Sequence, residues 1–457
     1  LKYYLDLVKT LEGMGAKIIA IKDMAGLCKP DAIELLIKAI KEITDLPIHF
    51  HTHDTSGTSA ASILSAINAG VDIVDLAMDS MSGLTSQPAL GSVVSATSSY
   101  KNKSEIQESH IRRASIYWEE VRKNYRPFES DFKGGSSDVY QHQMPGGQFT
   151  NLKEQANSMG IGTNRWPLVS QTYADVNKLF GDIIKVTPSS KVVGDMALFM
   201  IANDLSTDDI LNPDKKISFP ESVISFFRGE LGTPIGGFPT DLQKKILGDI
   251  KPITVRPGSI IESVNLDKER KSLSNQLEMN ISDKHLVSYL MYPKVFLDFV
   301  DFRNKYSDPS ILPTPLYFYG PKIDQEYHLE IEKGKSLIVR YLAKGKTNKD
   351  GKCPIFFELN GQPRTIEIED KKFNLEKVKR IKIDKNNKNQ VGSPLPGKIS
   401  QIFVKNEDRV FKGDKLIVIE AMKMETTINS EKTGLVKNLN VEIGSDVDAK
   451  DLLLEIV

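Results

Sequence analysis

The sequence predicts a multidomain α/β protein, and three patterns along the chain support that fold class. Short apolar segments alternate with amphipathic helices up to about residue 103, helical periodicity dominates residues 105–310, and a period of two begins near residue 316. The C-terminal segment contains an internal repeat. A chain of 457 residues is long enough for several domains of roughly 100–200 residues each.

The first region is predicted as βαβ units with a parallel sheet. Apolar strands are expected at residues 16–22, 48–53 and 71–78, with helices at 31–43, 58–69 and 89–100. These strands are too few to close a barrel, and a weaker fourth strand is predicted near residues 138–143. An open doubly wound sheet stays an alternative, although no Gly-rich phosphate turn follows a strand.

The middle of the chain is predicted to be mostly helical and is followed by antiparallel strands. Helical periodicity marks residues 106–124, 173–180, 194–203, 220–227 and 283–292. Strands are expected at 326–332, 336–343, 355–359 and 364–368. A polar run of Lys and Asn at residues 384–390 is interpreted as a flexible linker with a span of about 13–16 Å.

The C-terminal segment repeats itself with an offset of 37 residues, because Gly397 aligns with Gly434 without a gap. Apolar residues recur at the same positions in both copies, which predicts a small β sandwich with approximate two-fold symmetry. The residues joining the halves, about 421–432, are predicted to form an exposed hairpin. That hairpin carries Lys423 between two methionines. A lysine at such a position suits the attachment of a prosthetic arm, whereas the alternative is a solvated surface lysine.

A second candidate site is a divalent metal site at His51 and His53. Residues i and i+2 of a strand point to the same face, so both imidazoles can bind one metal ion. His49 extends this alternation, and Asp54 is a candidate acceptor for a ligand histidine. The alternative is a hydrogen-bonded core pair.

Lys22 ends the preceding predicted strand. Its side chain is interpreted either as the partner of Asp23 in a salt bridge or, after reaction with CO2, as a carbamate ligand of the metal.

Composition excludes some classes of function. The chain has 60 Lys+Arg and 60 Asp+Glu, so its formal net charge is zero, which argues against nucleic-acid binding. No apolar run reaches the about 18 residues that a membrane span needs. Two cysteines fit a reducing compartment.

Several motifs resemble the pyruvate carboxylase family. Ala421-Met422-Lys423-Met424 and Pro394-Leu395-Pro396-Gly397 are similar to its biotinyl carrier domain. Its carboxyltransferase domain, a TIM-type (β/α)8 barrel with a helical extension, resembles Lys22-Asp23-Met24-Ala25-Gly26, the segment from His51 to Gly57 and the segment from Pro145 to Leu152. Residues 291–296 and 319–323 look like the distal helical and tetramerisation regions of the same family.

The resemblance implies a role for each candidate residue. Lys22 is the carbamylated ligand of a divalent metal such as Mn or Zn, and His51 and His53 are its imidazole partners. Thr150 shuttles a proton between biotin and pyruvate, although a buried hydroxyl that satisfies a backbone group is the alternative. Lys423 carries covalent biotin. ATP and Mg belong to an N-terminal domain of the family.

The resemblance also implies the reaction, the partners and the domains. Carboxyl transfer from carboxybiotin to pyruvate yields oxaloacetate, biotin protein ligase modifies the carrier, and the full-length protein is a homo-tetramer. We expect this chain to be part of a longer protein and inactive alone, because a ligand aspartate and a pyruvate-binding arginine would precede Leu1. The expected domains are 1–160 (partial barrel), 161–312 (helical extension), 313–384 (tetramerisation region), 385–390 (linker) and 391–457 (carrier).

Two rival functions remain open from the sequence. The α subunit of a biotin-dependent oxaloacetate decarboxylase shares the barrel and the carrier but usually has a Pro/Ala-rich linker. No proline occurs between Pro363 and Pro394 here. The other rival is a non-catalytic fragment that serves only as biotin acceptor and oligomerisation unit.

Overall fold

The computed structural model describes residues 1–130, 132–370, 380–384, 387, 389–421 and 424–457. Residues 1–259 together with 380–457 form one compact unit, and residues 260–379 form a second. Over the described ranges, no helix has both the length and the apolar character needed to cross a membrane.

Strands and helices alternate in the first region, as the sequence predicts. The helices are α1 (Lys2–Gly13), α2 (Pro30–Lys41), α3 (Ser59–Asn68) and α4 (Leu90–Ala96). The strands are β1 (Ile19–Asp23), β2 (Ile48–Thr52) and β3 (Ile73–Val74), and they form a parallel sheet in the order β1-β2-β3. Their carboxyl ends therefore lie at one edge of the sheet.

The two faces of β2 have different environments. Ile48 and Phe50 are fully buried, and they belong to one apolar cluster with Ile33, Ile37 and Ile40 of α2. Because side chains alternate along a strand, the histidines of β2 lie on the opposite face. Packing of the apolar face against the helix thus sets the direction in which His49 and His51 project.

The next part of this unit is helical. Its helices are α5 (Glu108–Arg122), α6 (Val139–His142), α7 (Gly146–Ser158), α8 (Trp166–Leu179), α9 (Ser189–Ala202), α10 (Thr207–Leu211), α11 (Glu221–Arg228) and α12 (Thr240–Leu247). Helix α9 is buried along most of its length. An aromatic group with Phe180, Phe226 and Phe227 joins α8 to α11. The four helical segments predicted between 106 and 227 are confirmed.

The predicted strand at residues 138–143 is wrong, because these residues form the one-turn helix α6. The amides of His142 and Gln143 donate to the carbonyls of Asp138 and Val139, and Gln143 then adopts a left-handed conformation with φ 55°. The ring of His142 accepts the amide of Met144 at 3.0 Å. These local hydrogen bonds satisfy backbone groups that a strand would need a neighbouring strand to satisfy.

In its described residues, 260–370, the second compact unit combines four α-helices with one antiparallel sheet. The helices are α13 (Leu266–Leu277), α14 (Asp283–Met291), α15 (Pro293–Tyr306) and α16 (Thr314–Tyr319). The strands, in sheet order, are β4 (Glu326–Glu332), β5 (Lys335–Lys344), β6 (Lys352–Leu359) and β7 (Gln362–Glu369). The predicted helix at 283–292 and the four predicted strands are confirmed.

The C-terminal segment forms two four-stranded sheets. Its strands are β8 (Gln390–Gly392), β9 (Gly397–Ile402), β10 (Arg409–Val410), β11 (Lys415–Ala421), β12 (Met424–Asn429), β13 (Gly434–Lys437), β14 (Asp446–Val447) and β15 (Leu452–Ile456). The sheet orders are β10-β13-β15-β8 and β12-β11-β9-β14. A shift of 37 residues relates β8–β11 to β12–β15 and exchanges the two sheets, so the repeat and the sandwich are both confirmed.

Two details of this segment differ from the predictions. Residues 421–432 are not exposed throughout, because β12 pairs with β11 and buries Thr426 and Ile428. Gln390, expected as the last linker residue, begins β8, and its side chain donates to Glu455. Lys423 and the linker residues 385, 386 and 388 lie outside the described residues.

Candidate active site

Three polar side chains lie side by side where the parallel strands end. Lys22 of β1 is paired in register with His51 of β2. Phe50 is paired with Val74 of β3, so Asp75 follows beside His51. The His51 Nδ1 atom lies 2.7 Å from Asp75 Oδ2. The parallel sheet thus brings together residues from three segments that are separate in the sequence.

Hydrogen bonds orient the rings of His51 and His53. His53 Nδ1 lies 2.7 Å from the carbonyl oxygen of Thr85, which can only accept, so this nitrogen carries the proton. The carboxylate of Asp75 likewise accepts from His51 Nδ1. In the neutral form of each ring, the unprotonated Nε2 is therefore directed away from these acceptors.

The two Nε2 atoms face each other at 3.2 Å. Two unprotonated nitrogens at this distance repel each other unless a cation lies between them. Metal–nitrogen bonds of about 2.0–2.1 Å are common for histidine, and two such bonds are compatible with this separation. The orientation of both rings by oxygen acceptors is also typical of histidine ligands. The geometry therefore fits the binding of one metal ion by His51 and His53.

The charges around Asp75 favour its ionised form. Burial alone would raise its pKa, but the contacts with His51 and His49 outweigh that effect, and the pKa lies below its ordinary value. The His49 Nε2 atom lies 2.9 Å from Asp75 Oδ1 but is not aligned for a hydrogen bond. Asp75 therefore stays an anion that holds the protonated Nδ1 of His51.

Lys22 does not form the salt bridge with Asp23 that the sequence left open. Asp23 instead accepts the amides of Leu27 and Cys28 and the hydroxyl of Thr52, each at 2.9 Å. Lys22 is exposed, and its charge contributes to a lowered pKa of His53, which arises first from burial. Among the described residues, Lys22 has no carboxylate partner, so its amine is open to another reaction.

The acceptors of the histidine rings differ from the one considered in the sequence. Asp54 accepts the amide of Ser59 at 3.0 Å, at the start of α3, whereas Asp75 and the carbonyl of Thr85 hold the rings. Asp75 had a weak signal, since it lies within the strand predicted at residues 71–78, whereas the observed strand β3 ends at Val74, immediately before it. Thr85 had none, because it acts through its backbone.

Helix α7 begins against the ring of His53. A Cβ atom on Gly146 would lie 2.8 Å from both His53 Nδ1 and the carbonyl oxygen of Thr85, so only glycine fits there. Thr150 lies one turn further along α7, and its hydroxyl donates to the carbonyl of Gly147 at 3.1 Å. The predicted proton-shuttle residue therefore lies on the helix that borders the histidine pair.

The predicted site residues thus fall into two groups. Lys22, His51 and His53 lie at one edge of the sheet, and Thr150 lies on the helix next to it. The described residues contain no cluster of three or more His, Cys, Asp or Glu side chains suited to a metal ion. The predicted ligand set differs from such a cluster because its third member is a lysine.

Three parts of the chain match known protein domains. Residues 1–117 match an HMGL-like domain, residues 139–340 match a conserved carboxylase domain, and residues 389–456 match a domain of biotin-requiring enzymes. Across its whole length the chain is similar to pyruvate carboxylases. The three parallel strands are accordingly part of a TIM-type barrel, and the C-terminal sandwich is a biotinyl domain.

Individual relatives support this assignment. The chain is 44% identical to a pyruvate carboxylase of Bacillus subtilis over 456 residues, which is 100% of this chain and 40% of the relative. A complete multifunctional pyruvate carboxylase from Rhizobium etli is similar in structure, with a TM-score of 0.74 and 52% identity over 99% of this chain and 42% of that one.

A carboxyl transferase domain from Rhizobium etli, solved with pyruvate and biocytin, matches with a TM-score of 0.76 and 56% identity over 81% of this chain and 62% of that one. The chain spans about two fifths of the length of the full-length relatives that it matches.

Proposed function

We propose that this chain supplies the carboxyl-transfer region and the biotin carrier of a pyruvate carboxylase, which moves a carboxyl group from carboxybiotin to pyruvate and forms oxaloacetate. The observation that carries the proposal is the pair of Nε2 atoms, 3.2 Å apart, on rings held by Asp75 and the Thr85 carbonyl. The similar domain from Rhizobium etli was solved with pyruvate and biocytin. A cation site in a chain that also contains a domain of biotin-requiring enzymes suits the activation of a keto acid for carboxylation.

In this proposal, His51, His53 and a carbamate on Lys22 hold a divalent metal ion such as Mn or Zn. When bound, such an ion supplies Lewis acidity, which stabilises negative charge on the keto oxygen of pyruvate. Asp75 and the Thr85 carbonyl keep Nε2 of each ring free for this role. Lys22, exposed and without a carboxylate partner among the described residues, is accessible to CO2.

Thr150 is proposed to relay the proton between the methyl group of pyruvate and biotin. Its support is its position on α7, one turn from the glycine that contacts His53. Its hydroxyl donates to the carbonyl of Gly147, so the relay requires a rotation of χ1 away from this intrahelical bond. A hydroxyl held between two acceptors can pass a proton although it is a weak acid in water.

Lys423 is proposed to carry the biotin, attached by a biotin protein ligase. The domain of biotin-requiring enzymes matched at residues 389–456 supports this role. We also propose the domain boundaries expected from the sequence and a homo-tetramer for the full-length protein. The proposed location is the cytoplasm of a bacterium or the mitochondrial matrix of a eukaryote. Size-exclusion chromatography with light scattering, applied to the chimaera described next, measures the oligomeric state.

The decisive experiment removes one imidazole. His51→Ala is made in this chain, for metal analysis, and in a chimaera in which the chain replaces the matching 40% of the Bacillus subtilis relative, for activity. His110→Ala, on the exposed surface of α5, is the matched control. We expect His51→Ala to lose bound metal and carboxyl transfer while both proteins are still biotinylated.

Two outcomes would contradict the proposal. Undiminished metal content in His51→Ala, measured by elemental analysis, would exclude the ligand role. Full oxaloacetate formation by the substituted chimaera would show that the histidine pair is outside the reaction. An inactive parent chimaera that is nevertheless biotinylated would instead favour a non-catalytic carrier.

A further inference from the structure

A cavity of about 450 Å³ lies between helices α6, α7 and α8, next to the loop that follows β2. Its wall includes Phe132, Phe149 and Trp166, and the ring of Phe149 packs against both others, with centroid distances of 4.8 Å to Phe132 and 5.0 Å to Trp166. We call it the aromatic cavity. Its volume lies within the about 300–1,000 Å³ typical of small-molecule sites, and an apolar wall with a few polar groups is their usual composition.

The polar groups of the aromatic cavity include one that is buried and unsatisfied. Thr55 is 1% exposed and lines the cavity, and its hydroxyl has no hydrogen-bond partner within the part of the chain that the structure describes. A buried hydroxyl without a partner costs free energy. A molecule inside the cavity that offers an acceptor or donor would remove this cost.

Two further groups can donate hydrogen bonds into the aromatic cavity. His142 accepts the amide of Met144 at Nδ1, so the neutral ring carries its proton on Nε2, and burial keeps the ring neutral by lowering its pKa to about 4. Lys153, one turn after Phe149 on α7, is partly buried and has no carboxylate partner among the described residues. Asp138 also lines the cavity but is exposed, so its charge remains solvated.

We propose that the aromatic cavity binds a small organic anion with an apolar or aromatic body. Its carboxylate pairs with Lys153, its body contacts Phe149 and Trp166, and any acceptor on it meets Thr55 or His142. The cavity is separate from the histidine pair, since neither His51 nor His53 lines it. The inference does not depend on the proposed carboxyl transfer.

Trp166 provides a direct measurement of binding. The chain has two tryptophans, so Trp118→Phe leaves Trp166 as the only one. In this background, 3-phenylpropionate is titrated and compared with 3-phenylpropan-1-ol, which has the same body without the charge. We expect a saturable change in Trp166 emission with the acid and an affinity for the alcohol that is about tenfold weaker, because a charge-assisted hydrogen bond is lost.

Matched variants locate the anion. Lys153→Met should lower the affinity for 3-phenylpropionate by about tenfold and leave that for the alcohol nearly unchanged. Lys178→Met, on the exposed surface of α8, should change neither affinity. Thr55→Val keeps the shape of the side chain, removes the orphan hydroxyl and should weaken binding of the acid. His51→Ala should bind both probes like the parent, which separates this test from that of the proposed function.

Three results would overturn the inference. The first is the absence of a saturable change in Trp166 emission with 3-phenylpropionate, which would leave water as the occupant of the cavity. The second is equal affinity for the acid and the alcohol. The third is an equal effect of Lys153→Met and Lys178→Met, which would place the anion on the protein surface.

Discussion

The histidine edge and the carrier sandwich are built in opposite ways. The histidine edge, formed by Lys22, His51, His53 and Asp75, collects side chains from three strand ends and depends on hydrogen bonds to ionisable groups. The carrier sandwich, described at residues 389–421 and 424–457, is formed by the C-terminal segment of the chain alone and has an apolar core. All seven histidines of the chain precede it.

This difference explains why the two regions are not equally visible in the sequence. A repeat with an offset of 37 residues requires only a comparison of the chain with itself. The buried pairs Ile399 and Val436, and Leu416 and Leu453, then follow from the two-fold arrangement of the sheets. The histidine edge requires knowledge of which strands are neighbours, since Asp75 is separated from His51 by an entire helix.

The largest expected effect concerns the carrier sandwich. Lys423→Arg should abolish biotin attachment completely, because arginine has no primary amine to acylate. Intact-mass analysis before and after treatment with biotin protein ligase measures it, with Lys412→Arg as a control on the same domain. Biotinylation of Lys423→Arg would mean that another lysine is the acceptor, whereas metal binding at the histidine edge should be unchanged in this variant.

The next effect tests whether α7 belongs to the chemistry of the histidine edge. In the chimaera, Thr150→Ala should lower the rate of oxaloacetate formation by about 10²–10⁴, the range for loss of a positioned proton-transfer group. Thr150→Ser should keep partial activity because the hydroxyl remains. Biotinylation and metal content are the controls. A fall of less than about tenfold would mean that the hydroxyl merely closes the first turn of α7 through Gly147.

The role of Asp75 is tested by metal affinity. Asp75→Asn keeps the size of the side chain but removes the anion that holds His51 Nδ1, and it should weaken metal binding by about 10–100-fold. A competition titration with a metal-sensitive chelator measures the affinity, and Asp45→Asn, an exposed change before β2, is the control. Equal affinities in the two variants would contradict the assigned role of Asp75.

The smallest effect is a pH dependence of the unfolding free energy, which we expect in the helices around His142 and not in the carrier sandwich. Burial lowers the pKa of His142 to about 4 in the folded state. In the unfolded chain the same ring has the ordinary histidine pKa of about 6.5, so at pH values between 4 and 6.5 it is protonated only when the chain is unfolded. The contribution of the neutral ring is complete above pH 6.5 and is lost as the pH falls from 6.5 to 4. Between pH 7 and 5 the loss is about 2 kcal/mol of unfolding free energy.

Urea unfolding followed by Trp166 fluorescence in the Trp118→Phe background measures this loss in the helices around His142. His142→Asn, which keeps an acceptor for Met144 but does not titrate, should reduce the pH dependence by that amount. The protection factors of the amides in β11 and β15 against hydrogen exchange should change little over the same interval, because the carrier sandwich has no histidine. An unchanged pH dependence in His142→Asn would contradict the assignment.

The sequence by itself determined the features that depend on short or regular spacing. His51 and His53 share a face because side chains alternate along β2, and the sandwich follows from its repeat. Helices and strands with a clear apolar period were located, although α8 begins seven residues before its predicted start and β3 is shorter than the predicted strand. At residues 138–143, by contrast, six residues were too few to distinguish a strand from the single turn of α6.

Only the tertiary structure decided which polar groups meet. In the folded chain, Asp75 and the Thr85 carbonyl are the acceptors for the histidine rings. Asp54 accepts an amide at the start of α3, and Asp23 accepts backbone amides and does not pair with Lys22. The physical reason is that hydrogen-bond partners are selected by distance and direction within the folded chain. The sequence alone does not distinguish Asp54 from Asp75 as the acceptor for His51. The order of the strands decides it, because β3 lies next to β2 and brings Asp75 to the ring.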